Sequence, residues 1–165
     1  MITFGPIPSR RLGRSLGINN IPPKVCSYSC VYCQVGLTNQ LSIDRKEFYK
    51  PMMIYNEVKN RLDELKMKSE TIDYLSFVPD GEPTLDINLF ETIEHLQNFG
   101  IKIAVFTNSS LLWKKEVQAS LKLADYVSVK IDAIDEITWK KINHPSTLIN
   151  LEKVLEGILE FKESY

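Results

Sequence analysis

Three cysteines fall within eight residues, Cys26-Ser-Tyr-Ser-Cys30-Val-Tyr-Cys33, and the chain has no others. An odd, tightly spaced set is a poor disulfide framework, so ligation or redox chemistry is the better reading. Zinc would need a fourth ligand from His95 or His144, both far along the chain. A simple iron–sulfur electron carrier would normally supply a fourth cysteine. Three inert, buried cysteines sit poorly in a polar loop rich in Tyr and Ser. A C-x₃-C-x₂-C loop with three thiolates leaves one metal position open to another molecule, which is a catalytic arrangement.

The elements that must carry this loop follow from apolar spacing. Residues 15–20 are a weak strand leading into the cysteines, and residues 54–65 place Ile54, Val58, Leu62 and Leu65 on one helical face. Strand-like runs follow at 72–79, 101–107 and 126–131. Helices opening near Asp86 and near Leu112 separate them, and two further helical stretches lie at 136–142 and 149–162. The order β–loop–α–β–α–β–α–β–α implies parallel pairing with right-handed crossovers. That pattern suits part of a (β/α) barrel or an open α/β sheet, and both place ligands at the C-terminal strand edge.

The cysteine spacing, with an aromatic residue before the last cysteine, resembles the signature of the radical SAM superfamily. The resemblance implies a partial (β/α) barrel and a [4Fe–4S] cluster on Cys26, Cys30 and Cys33. In that family the open iron binds S-adenosylmethionine, and an electron from the reduced cluster cleaves the sulfonium to a 5′-deoxyadenosyl radical. The run Val78-Pro-Asp-Gly81-Glu82-Pro-Thr-Leu85 resembles the family's glycine–glutamate motif, with Asp80 where many members have glycine. The contact to the SAM amino group is therefore carried to Gly81 and Glu82, although Asp-Gly-Glu-Pro alone reads as a surface turn. Asn108, Ser128, Lys130 and Asp132 correspond to positions that hold the ribose hydroxyls and the methionine carboxylate. An inward lysine at a strand's C-terminal end is costly unless it meets an anion; an exposed edge-strand lysine is the alternative. Tyr32 is placed against the adenine, or is a packing residue.

The N-terminal run Phe4-Gly-Pro-Ile-Pro-Ser-Arg10-Arg11-Leu-Gly-Arg14-Ser-Leu-Gly17, together with Cys33-Gln-Val-Gly36, resembles a branch grouped with wybutosine-type tRNA-modifying enzymes. Arg10, Arg11 and Arg14 are suited to bidentate phosphate contacts; the alternative is an arm fixed by salt bridges to an acidic face. His144, in a loop resembling one of the same branch, is either a substrate contact or a surface histidine. The implied partners are SAM, an electron donor of the flavodoxin or ferredoxin type, and an RNA or protein substrate.

Bulk properties set limits on these readings. With 44% hydrophobic and 25% charged residues, the composition is that of an ordinary globular protein. A net charge of −1 argues against a general nucleic-acid binder. Residues 1–50 nevertheless hold seven basic and two acidic residues, against thirteen and nineteen in the remainder. No apolar run approaches the roughly 20 residues of a membrane span, and the N-terminus has no secretory pattern, so a cytoplasmic protein is expected. The whole of residues 1–165 reads as one radical SAM core, with an Arg-rich arm at 1–24, the cluster loop at 25–36 and β/α units at 50–165. About four strands are legible, whereas a full (β/α)₈ barrel takes about 250 residues. The core is thus expected to be truncated, with self-association or a completing chain on the open side. Two alternative functions stand beside the radical SAM reading. One is activation of a partner enzyme by making a glycyl radical; the other is a non-catalytic iron–sulfur or zinc module.

Overall fold

The computed structural model describes all residues, 1–165. Its main sheet contains β1 (Thr3–Ser9), β2 (Gly13–Ile18), β5 (Tyr74–Phe77), β6 (Lys102–Thr107) and β7 (Tyr126–Val129), in the spatial order β1-β2-β5-β6-β7. A two-stranded ribbon of β3 (Val25–Cys26) and β4 (Gln40–Leu41) frames the cysteine loop. The pairs β2·β5, β5·β6 and β6·β7 are all parallel. Three helices lie between them in the chain: α1 (Pro51–Met67), α2 (Leu89–Gln97) and α3 (Lys115–Leu121). They are followed by α4 (Glu136–Asn143) and α5 (Leu151–Ser164). Each new parallel strand joins the same side of its predecessor, with no reversal of order. This is the winding of a barrel wall rather than of an open sheet with a switch point.

Strand alternation sorts the residues into two faces. Leu16, Ile18, Leu75, Phe77, Ile103 and Val105 face the helices and are fully buried in the main hydrophobic core. There they meet Ile54 and Val58 of α1 and Leu89, Ile93 and Leu96 of α2. The opposite parity is small or polar. Ser15 and Ser76 are joined by their hydroxyls at 2.5 Å, and Gly17 lies so close under the Phe4 ring that a Cβ would come within 2.3 Å of it. These residues line the concave side with Val78 and Phe106.

The structure corrects the reading of residues 1–24 as an arm. Residues 3–18 form an antiparallel hairpin, masked in the sequence by Gly5, Pro6 and Pro8, which a sheet tolerates on an edge strand. The register shifts between Phe4 and Ile7, where Gly5 and Pro6 sit, and Pro8 is back in register opposite Arg14. Arg10 and Arg11 lie exposed at its tip, beside the N-terminal end of β2. Arg14 pairs with Glu70, and its backbone N–H donates to Asp73 at 2.7 Å. Arg45, another member of the basic N-terminal third, spends its guanidinium on the carbonyls of Thr84 (2.8 Å) and Asp86 (2.9 Å). Part of the basic excess is therefore consumed inside the fold. No helix is long and apolar enough to cross a membrane.

Candidate active site

The cysteine loop lies at the C-terminal edge of the parallel strands because two chain segments, 80–82 and 142–146, dock it there. Lys24 N–H donates to the Asp80 carbonyl at 2.7 Å, and Glu82 N–H donates to the Val25 carbonyl at 3.2 Å. A Cβ on Gly81 would stand 2.0 Å from that same Val25 oxygen, so only glycine allows the approach. On the other side, Val31 N–H donates to Ile142 O (2.9 Å), Ser29 N–H to Asn143 O (3.0 Å), and Ser146 N–H to Ser27 O (3.0 Å). Below the loop, Tyr28 packs edge-on against buried Trp139, with ring centroids 5.8 Å apart.

Cys26, Cys30 and Cys33 line one cavity of about 250 Å³, which also takes in Gly81, Glu82, Asn108, Ser128 and Lys130. The three side chains are not drawn together into a closed ligand cluster. Cys26 and Cys30 are half-buried, and Cys33 is exposed. The donor set fits an iron–sulfur cluster: three thiols on one docked loop, two of them facing amide donors, with no histidine in the cavity. Asn108 Nδ2 stands 3.5 Å from Cys26 Sγ and 2.9 Å from Ser27 Oγ. Asn143 Nδ2 stands 3.3 Å from Cys30 Sγ. Burial, with a further push from the Glu82 carboxylate, raises the Cys26 thiol to about 12.

Glu82 lines the cavity while its carboxylate is tied up within the fold. Its side chain is 1% exposed and accepts from Thr84 N–H (3.1 Å), Thr84 Oγ1 (2.6 Å), Thr107 Oγ1 (2.7 Å) and Asn108 N–H (2.7 Å). Burial pushes this carboxyl up and those donors pull it down; burial is the stronger. The carboxylate is a clamp that ties the turn after β5 to the end of β6. Its backbone N–H donates to Val25 O, and Asp80, Gly81 and Glu82 all line the cavity.

Lys130 follows β7, and its ammonium lies 4.1 Å from the Tyr32 ring centroid, bonded to the Tyr32 hydroxyl and 3.7 Å from Asp132. Tyr32 also donates to Asp132. Burial alone would raise the Asp132 carboxyl, but hydrogen bonds from Tyr32 and Asn143 and the charge of Lys130 hold it below the usual range. Tyr32 and Lys130, which line the cavity, thus form one polar network with Asp132, which lies just beside it. Ser128 and Asn108 also line the cavity. His144 caps α4 in the left-handed region (φ 41°), with its side chain exposed beside Pro145 and Thr147 rather than in the cavity. Arg10, Arg11 and Arg14 lie at the opposite strand edge and do not converge with the cysteines. Asn143 and Lys24, both close to the site, carried no signal in the sequence beyond their polar type.

The family model described as the Radical SAM superfamily matches residues 20–165. The chain belongs to the radical SAM superfamily. Members of this superfamily use a [4Fe–4S] cluster and S-adenosylmethionine. A UPF0026 protein of Methanocaldococcus jannaschii is 53% identical over 164 residues, covering 99% of this chain and 50% of its own length. A UPF0026 protein of Helicobacter pylori is 36% identical over 167 residues, covering 99% and 53%. Among solved structures, TYW1 with a lysine-pyruvate adduct bound is similar in fold at a TM-score of 0.62 and 16% identity, covering 89% of this chain and 50% of that one. The radical SAM chain thus spans about half the length of these relatives.

Proposed function

We propose that this chain is the cluster- and SAM-binding core of a radical SAM enzyme, with Cys26, Cys30 and Cys33 as the iron ligands. The carrying observation is the single cavity at the C-terminal strand edge that all three cysteines share with Gly81, Asn108, Ser128 and Lys130. When bound, the cluster and SAM supply one-electron cleavage of the sulfonium to a carbon-centred radical. The protein's own contribution is placement and shielding. Gly81 lets the turn after β5 press against the cysteine loop, and the Glu82 clamp fixes Asn108 beside it. Lys130 is the cation for the methionine carboxylate, which would compete with Asp132 for the ammonium. Tyr32 covers the mouth and limits water at the reacting atoms.

An electron donor of the flavodoxin or ferredoxin type is the implied reductant. RNA is the substrate class we assign first. The assignment is supported by the resemblance of residues 4–17 and 33–36 to the wybutosine-type branch and by the shared fold with TYW1. Arg10 and Arg11, at the far strand edge, would hold a flanking phosphate rather than the reacting base.

Anaerobic reconstitution of the full chain tests the reading. A [4Fe–4S] spectrum that SAM perturbs, followed by release of 5′-deoxyadenosine on reduction, is the expected result. Loss of the cluster in Cys26→Ala, Cys30→Ala and Cys33→Ala variants completes it. A wild-type protein that takes up no iron, or holds it with no response to SAM, sinks it.

A further inference from the structure

We propose that Asn143 is a positioning residue of the metal centre: it aims a side-chain N–H at Cys30 Sγ, is held in that orientation by Asp132, and so raises the reduction potential of a cluster bound through Cys30. The proposal rests on Cys30 being an iron ligand, as assigned above.

Asn143 ends α4 and is 1% exposed. Its Nδ2 lies 3.3 Å from Cys30 Sγ and is also bonded to Asp132 Oδ2. A side-chain amide can in general be turned either way. Here a carboxylate can only accept, so the NH₂ group and not the carbonyl must face Asp132. Both amide hydrogens are then committed, one to the carboxylate and the other shared between Cys30 Sγ at 3.3 Å and the Tyr32 hydroxyl at 3.4 Å. The cost is visible at the other atom, because Asn143 Oδ1 is buried without a partner. A side chain present only for packing would not retain an orphaned acceptor, since an apolar residue of similar volume avoids that penalty.

The backbone fixes the same contact. Asn143 O accepts from Ser29 N–H at 3.0 Å, and Ile142 O accepts from Val31 N–H at 2.9 Å, so the residues on both sides of Cys30 are held by this turn. The three cysteines therefore differ. Cys30 faces a buried donor at 3.3 Å that is oriented by Asp132 and also reaches the Tyr32 hydroxyl; Cys26 has a longer contact at 3.5 Å from an amide shared with Ser27; Cys33 is exposed. An N–H dipole aimed at a ligating sulfur favours the more negative, reduced cluster. Removing it makes reduction harder.

The test uses the anaerobically reconstituted full chain and an EPR-monitored redox titration without SAM. Asn143→Leu should keep its iron but show a ratio of reduced to oxidised cluster about three- to tenfold lower at a fixed potential near the wild-type midpoint, a tenfold change in that ratio being about 59 mV for one electron. Asn143→Ser, too short to reach Cys30, reads the same quantity if the leucine variant does not hold iron. Asn150→Ala removes the side-chain cap of α5 without touching a cysteine; it should lose stability and leave the potential unmoved. A wild-type potential in Asn143→Leu overturns the proposal, as does loss of iron from both Asn143 variants, because a tuning residue leaves assembly intact. A wild-type protein without an iron–sulfur signal instead refutes the ligand assignment beneath it.

Discussion

Replacing Gly81 by alanine should cost this protein about 3 kcal/mol, and the sum can be worked from two terms. The new Cβ would stand 2.0 Å from Val25 O, 3.0 Å from Val25 C and 2.9 Å from Ile21 Cδ1. The nearest obstacle is backbone, which cannot rotate aside, so the turn and β3 must separate by more than an ångström. Overpacking of this kind costs about 1–3 kcal/mol. Separation also weakens the Lys24–Asp80 and Val25–Glu82 backbone bonds, each worth about 1 kcal/mol net. For a chain of this length, about 3 kcal/mol corresponds to a fall in Tm of about 6–12 °C. Gly100→Ala is the matched control. Gly100 has φ +65° and nothing within 4 Å of an added Cβ, so only the left-handed backbone penalty of about 1–2 kcal/mol applies. Calorimetry of the reduced apo-protein separates the two, and iron uptake by Gly81→Ala should fall in parallel. A Gly81→Ala protein that melts within 2 °C of wild type, or that loses less than Gly100→Ala, would show that the cysteine loop is not held by this close approach.

Burial raises the Asp86 carboxyl from 3.8 to about 6, against the opposing pull of Asn88, Asn20 and Arg45. The folded state therefore binds this proton more tightly than the unfolded one. The resulting stability is fully present below pH 3.8 and is lost as pH rises through 6, an effect on the order of 3 kcal/mol. Asp86→Asn should accordingly gain stability relative to wild type as pH climbs from 4 to 7 in urea titrations; a pH-independent difference contradicts this. The double substitution Arg10→Glu, Arg11→Glu alters the hairpin tip at the far strand edge. Iron content and the spectral response to SAM should stay at wild-type levels, while any affinity for RNA falls; loss of the SAM response would place the tip in the cofactor site.

Much of the wall of this fold was legible because its strands are buried on the helix side and its helices carry regular stripes. The runs at 72–79, 101–107 and 126–131 contain β5, β6 and β7, each trimmed at the ends where pairing stops. The helix expected from Leu112 begins at Lys115, because Leu111–Trp113 form a turn packed under α5: a Cβ on Gly157 would meet the Trp113 backbone nitrogen at 2.4 Å. What escaped was set by contacts between distant segments. The edge strand β1 is broken by glycine and proline, and its partner is visible only once the hairpin closes. Glu82 was legible as part of a motif, yet its role as a four-donor clamp depends on Thr107 and Asn108 arriving from β6. Asn143 is an ordinary helix-terminal residue until Cys30, more than a hundred positions earlier, is brought against it.

The docking of the cysteine loop also bears on when the protein can be loaded during its synthesis. Residues 27–31 take their backbone partners from 142–146, so on a ribosome they emerge long before those partners exist. Closing so long a loop adds little to the entropic cost compared with a shorter one, but it delays the event until residues 142–146 have been made. A nascent chain shorter than about residue 146 presents its thiols on a segment without these partners, so iron insertion into the docked loop follows the synthesis of that turn.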